Sequence, residues 1–174
     1  MSGPLGKELT KFLKLQLKEK LEPKLIDLGF FKPAIEKPFL GVSFDVYSYR
    51  RWRNRRFAIW EIEVHSGHFR NNVTKLQKVL RFKWEPTVFL FHIFSPCYYP
   101  VEKGQCADLA MKLGKKYPRR FVYEQIELQI PYERFERMVE YFESNKYAAK
   151  QYYGHDLKRE ASRIAKHSLS VLSH

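Results

Sequence analysis

Leu5, Leu9, Phe12, Leu13, Leu17 and Leu21 recur at the spacing of one helix face. Lys7, Lys11, Lys14, Lys18 and Lys20 surround that stripe, either as a solvated face or as a phosphate-facing flank, and Pro23 is expected to close the helix. Residues 25–31 suit a short strand or a helix end, and Pro33 and Pro38 mark a loop. Residues 39–49 and 57–64 read as strands, and their short link makes them most simply a hairpin. Val73, Leu76, Val79 and Leu80 predict a helix over 70–83. The unbroken apolar run Thr87–Phe94 predicts a strand buried on both faces. Residues 105–116 suit a helix that Pro118 ends, and 121–130 alternate as a strand. From Pro131 the pattern is helical, with one stripe on Phe135, Met138, Val139 and Phe142. Gly154 is expected to break it, and Leu157, Ala161, Ile164 and Ala165 start another.

This order predicts an α/β fold, bordering on α+β, with a mixed central sheet that contains a hairpin and is flanked by helices. The expected division is a domain over 1–130 and a C-terminal helical extension over 131–174. Helix stripes outside a filled core often bury against a second chain, so the extension admits a homodimer.

On residues 57–64 alternate side chains point to opposite faces, so Phe57, Ile59, Glu61 and Glu63 share one side. At a rise of roughly 3.3 Å per residue the two carboxylates stand about 7 Å apart. A regular hairpin brings Asp45 near them. Three acids at one site repel one another unless a cation is present, and clustered oxygen ligands suit Mg²⁺ or Mn²⁺. The plainer alternatives are a solvated strand face, or pairing with the arginines of the hairpin.

Net charge sharpens this picture. The 174 residues carry 32 Lys and Arg against 19 Asp and Glu, a net +13. Such an excess predicts a polyanionic partner, nucleic acid first and DNA ahead of RNA. The hairpin link concentrates it in Arg50, Arg51, Arg53, Arg55 and Arg56 around Trp52, with Tyr49 just before. Arginine forks pair with phosphates and aromatic rings stack on exposed bases, so these residues are the expected nucleic-acid contacts. No apolar run suits a membrane span. Two cysteines make no disulfide framework and no four-ligand zinc site, and they read as reduced thiols in the cytoplasm. No P-loop, GxSxG, GxGxxG, HExxH or CxxC pattern appears, which disfavours nucleotide-driven and Rossmann-type chemistry.

Helix, hairpin with Asp45, strand with Glu61-x-Glu63, helix, strand, helix, strand resembles the PD-(D/E)xK nuclease superfamily, the restriction-endonuclease-like proteins, over residues ~5–130. The resemblance implies that Asp45 and Glu61 bind Mg²⁺ or Mn²⁺ and that Glu63 stands where the motif has lysine. A lysine missing there is sometimes supplied by the following helix, and Lys75 is the candidate, with Gln77 also placed to face the site. The implied activity is metal-dependent hydrolysis of phosphodiester bonds, with Asp45, Glu61, Glu63 and Lys75 as catalytic residues and the three acids as metal ligands. The alternative is a catalytically inactive nucleic-acid binder, or an adaptor subunit, of the same fold. A separate reading gives Glu61, Glu63, His65 and His68 a transition metal. His92, inside a buried strand, reads as a satisfied core histidine.

Overall fold

A computed structural model describes residues 6–65 and 69–174, and the fold is mixed α/β. Helix α1 (Lys7–Asp27) opens the chain. Short strands β1 (Ala34–Ile35), β2 (Pro38–Phe39) and β3 (Val42–Ser43) follow, then β4 (Val46–Arg50) and β5 (Arg56–Glu63). Helices α2 (Phe69–Thr74) and α3 (Leu76–Leu80) lead to β6 (Thr87–Phe94), α4 (Pro100–Lys116) and β7 (Phe121–Glu127). Helices α5 (Tyr132–Ser144) and α6 (Lys146–Leu172) close the chain.

The main sheet runs β1-β4-β5-β6-β7, while β2 and β3 pair as a separate small hairpin. β4 is antiparallel to β1 and β5, whereas β5, β6 and β7 are parallel. Parallel neighbours need crossover connections, which α2–α3 and α4 supply. Because β5, β6 and β7 advance in one direction, both crossovers cover the same face, where Phe57, Ile59 and Leu90 meet Val73, Leu76 and Leu113. On the other face Ala58, Trp60 and Phe91 pack under Leu13 and Leu17 of α1, Phe135 of α5 and Ile164 of α6. β6 is therefore buried on both sides, as its continuous apolar run requires.

Several boundaries differ from the sequence reading for identifiable reasons. Pro23 lies inside α1, because Leu21 and Leu25 on either side of it are fully buried and packing outweighs the lost backbone bond. The turn comes instead at Gly29, whose φ of +80° suits glycine. Gly154 does not break the last helix. The interruption is at Asn145, whose side chain accepts from Ala148 N and caps α6. A Cβ at Gly154 would make ordinary van der Waals contact with the Phe12 ring at 3.6 Å, so the position packs under α1 within a continuous helix. The helix expected over 70–83 is two short helices with Lys75 at the junction.

The segment 131–174 shares the core of α1 and the sheet. Trp60 Nε1 on β5 donates to Ser168 Oγ of α6 at 2.9 Å, and Arg56 donates to the Leu172 carbonyl. Phe135, Met138, Phe142, Leu157 and Ile164 are all fully buried within the chain. The stripes that suggested a surface for a second copy are thus used internally. Among the described residues no helix is long and apolar enough to cross a membrane.

Candidate active site

The site lies at the end of β5 away from the hairpin tip. β4 and β5 pair Val46 with Trp60, so one step further sets Asp45 opposite Glu61. There β4 has just ended, and the Asp45 side chain takes over the ladder: Ile62 N donates to Asp45 Oδ2 at 2.7 Å. Asp45 Oδ1 faces Lys14 Nζ of α1 at 2.6 Å, and the same ammonium contacts Glu36 Oε1 at 2.6 Å. Burial pulls the Lys14 ammonium towards its neutral form, but Asp45 and Glu36 outweigh it and raise its pKa above the ordinary lysine value. Lys14 in turn holds Glu36 below the usual carboxylate range.

Glu61 is only 2% exposed, among the β5 and α2–α3 side chains. Lys75 Nζ stands 2.6 Å from Glu61 Oε1 and donates to the Ser43 carbonyl at 2.8 Å. Oε1 is buried, and the Lys75 ammonium is its close charged partner. Burial first, and the charge of Asp45 second, push the Glu61 carboxyl well above the carboxylate range, against the pull of Lys75.

Glu63 points to the same face and is held differently. Asn72 of α2 donates to its Oε1, where His92 Nε2 also approaches at 3.0 Å, and Tyr98 OH stands 3.4 Å from Oε2. His92 Nδ1 lies 3.1 Å from Tyr123 OH, which accepts from Gln125 Nε2 at 2.9 Å. With Nε2–H donating to Glu63 and Nδ1 accepting from Tyr123 OH, every link is satisfied, so donors run Gln125 to Tyr123 to His92 to Glu63. His92 is thus a hydrogen-bonded core histidine with a defined task, the orientation of Glu63.

Asp45, Glu61, Glu63 and Lys75 are therefore brought to one region, with Lys14, Glu36, Asn72 and His92 added to it. The three acids do not draw together into a set of oxygens all within 4.8 Å; among the described residues the trio that does so is His65, Cys97 and Glu136. His65 leaves the Glu61 and Glu63 face on which the transition-metal reading placed it, and His68 lies outside the described residues. Gln77 turns instead to a cleft against α4 with Leu109 and Lys112.

The hairpin arginines stand at the far end of β5, about 16 Å from Glu61 at the usual strand rise. They do not pair with the carboxylates. Arg50 holds the Leu28 and Asn54 carbonyls, Arg55 holds the Trp84 carbonyl, and Arg51 lies 4.3 Å over the Trp84 ring. Trp52 is 78% exposed.

The raised Glu61 pKa has a measurable consequence. The folded state keeps a proton on Glu61 at pH values where the unfolded state has lost it. The Glu61 contribution to stability therefore falls as pH rises from the ordinary carboxylate range towards the raised value. Glu61→Gln removes this penalty, while Lys75, a fifth exposed, keeps the Ser43 carbonyl. Metal-free Glu61→Gln should melt no lower than wild type at neutral pH, with the gap narrowing on acidification. Parallel melting curves from pH 4 to pH 8 check this, and a gap that widens towards acid contradicts it.

No family model, no curated protein and no solved structure matches this chain.

Proposed function

We propose that this chain is a metal-dependent nuclease that hydrolyses phosphodiester bonds, with DNA ahead of RNA as substrate. The observation that carries the reading is Lys75, delivered from the α2–α3 junction to 2.6 Å from Glu61 where β5 itself has no lysine. Element order supports it, since a helix, an antiparallel β1-β4-β5 unit, helices and a parallel β6 follow the restriction-endonuclease-like arrangement.

The residues fit a hard divalent cation. Glu61 is a buried carboxylate whose ionised form the neighbouring Asp45 charge disfavours, so a cation there would be stabilising. Mg²⁺ is commonly held by one or two carboxylates and completes its shell with water, so Asp45 and Glu61 would hold Mg²⁺ or Mn²⁺. When bound, such an ion lowers the pKa of a water and offsets charge on a phosphate oxygen. The chain's own groups do the rest. Lys75 places a positive charge where phosphate oxygens gain negative charge. Lys14 pairs with Asp45 and holds Glu36 below the usual carboxylate range. Asn72 and His92 fix Glu63, which faces the site as an oriented base rather than a free ligand. Lys7 and Lys11, on the α1 face that reaches Glu36, continue the basic flank.

Incubation of the full chain with plasmid, single-stranded DNA and RNA, each with Mg²⁺, Mn²⁺ or chelator, tests the reading. Metal-dependent scission supports it. The absence of scission in every arm rejects it.

One observation favours a second reading, a nucleic-acid binder without catalysis. Lys14, its side chain 9% exposed, already neutralises Asp45 from within the protein. In either reading the hairpin makes the phosphate contacts. Replacing Arg51 and Arg53 with Ala, while keeping Arg50, Arg55 and Arg56 for their backbone contacts, should lower the slope of log affinity against log salt by roughly two on duplex DNA. Fluorescence anisotropy across salt concentrations measures it, and an unchanged slope removes the hairpin from the interface.

A further inference from the structure

β5 and β6 are parallel neighbours, so they end at the same sheet edge, with Glu63 beside Phe94. The chain segments leaving those ends carry His65 and Cys97. They are tied to each other rather than loose: Ser95 N donates to the Glu63 carbonyl at 2.9 Å, Ser95 Oγ to the Val64 carbonyl at 2.6 Å, Cys97 N to Ser95 Oγ at 3.2 Å, and Tyr98 OH to the His65 carbonyl. Helix α5 brings Glu136 to the same place, anchored by the fully buried Phe135 beside it. Ligand atoms of His65, Cys97 and Glu136 all lie within 4.8 Å of one another.

Two further observations bear on this cluster. His65 Nε2 is buried and has no hydrogen-bond partner, an unmet cost that native interiors normally avoid. The Cys97 thiol already points into the cluster, donating to Glu136 Oε1 at 3.3 Å. Gly6 closes the side towards α1, where a Cβ would meet Val64 Cγ1 at 2.4 Å and His65 Cδ2 at 3.4 Å, so no side chain can enter there.

We propose that His65, Cys97 and Glu136 form a site for a zinc-class divalent cation, separate from Asp45 and Glu61. The donor set decides the class. A thiolate and an imidazole suit Zn²⁺ and its neighbours, whereas Mg²⁺ and Ca²⁺ require oxygen ligands. Three protein ligands leave one tetrahedral position for water or an added group. On binding, sulfur forms the bond to the cation and the thiol proton passes to solvent. The ion joins α5 to the ends of β5 and β6, so its binding is expressed partly as resistance to unfolding. This site stands on its own residues and survives or fails independently of the nuclease reading.

Cobalt titration of the full, chelator-stripped chain tests it. A near-ultraviolet thiolate-to-cobalt charge-transfer band with tetrahedral visible bands, saturating at one equivalent and displaced by Zn²⁺, is expected. Cys97→Ser should abolish the band, and His65→Asn and Glu136→Gln should each weaken affinity more than about 100-fold, beyond the roughly 10–100-fold that loss of an outer-shell partner costs. Cys106→Ser, altering the buried thiol of the opposite core, and Glu61→Gln should both retain it. No charge-transfer band in wild type, or one that persists in Cys97→Ser, overturns the site. Alkylation gives a second readout in the unmutated chain: equimolar Zn²⁺ should slow iodoacetamide modification of Cys97, and an unchanged rate also overturns it.

Discussion

Glu61→Gln and Asp45→Asn should each reduce Mg²⁺-dependent cleavage by about 10³-fold, corresponding to the several kcal/mol of charge stabilisation that a correctly held cation supplies. Both substitutions keep side-chain volume while removing the charge. In Glu61→Gln the oxygen that faces Lys75 can still accept, so Lys75 remains in place. In Asp45→Asn the amide can still accept from Ile62 N, so the β5 ladder end persists. Lys75→Met should cost about 10²-fold, on the scale of one electrostatic donor removed from a transition state. Glu63→Gln should cost less than either acid, because Asn72 and His92 already bond its Oε1 and leave it a base rather than a metal ligand. Single-turnover cleavage rates on supercoiled plasmid give these ratios. A Glu61→Gln rate equal to wild type would show that the scission belongs to something other than this site. The melting comparison for the same variant separates lost chemistry from lost folding.

A chain ending at Ile130 should not fold cooperatively. Its α1 would present Leu9, Phe12, Leu13 and Leu17 to water on one side, and Trp60 would lose Ser168. Phe135, Met138, Phe142, Leu157 and Ile164 are all fully buried in the same core. At roughly 1.5–3 kcal/mol each, their burial accounts for about 8–15 kcal/mol. That matches the whole stability of a typical domain, about 5–15 kcal/mol. The expected result is a truncated chain with a non-cooperative melt and exposed apolar surface that binds a hydrophobic dye. A sharp thermal transition with native near-ultraviolet circular dichroism would instead make 131–174 a separable extension.

Trp60→Ala tests the same connection more gently. Trp60 is fully buried, stacks on Phe91 with ring centroids 5.3 Å apart and loses the Ser168 bond on truncation. About 3–5 kcal/mol of stability should be lost, read by urea denaturation. A loss under about 1 kcal/mol would show that β5 and α6 are not energetically joined there.

Strands β5, β6 and β7 were legible because their patterns are local, whereas the single strand read over 39–49 is split by the turn at Leu40 and Gly41, both at positive φ, into β2, β3 and β4. Thr87–Phe94 is a continuous apolar run, and β6 occupies those residues. The alternation over 57–64 placed Glu61 and Glu63 on one face of β5, where the structure also has them. Lys75 was legible only through the family resemblance, in which a following helix supplies a missing lysine, and the structure puts its ammonium 2.6 Å from Glu61. The added groups were not legible. Lys14 sits in a stripe of five lysines that pattern alone cannot tell apart, yet one of them reaches Asp45 and Glu36. Glu36 lies among short strands with no periodic signal. His65, Cys97 and Glu136 are separated by 32 and 39 residues, and no motif spacing announces them.

Hydrophobic spacing alone determined the long helices, the strands β5, β6 and β7, the mixed α/β class and the strand face that carries the acids, because each depends on neighbours a few residues apart. Tertiary structure decided where helices end, as at Pro23 and Gly154, and that 131–174 belongs to the main core. It also decided which cation meets which carboxylate. Those outcomes depend on how much surface distant segments bury together and on side-chain reach across a gap. Neither quantity is written in any short stretch of the chain.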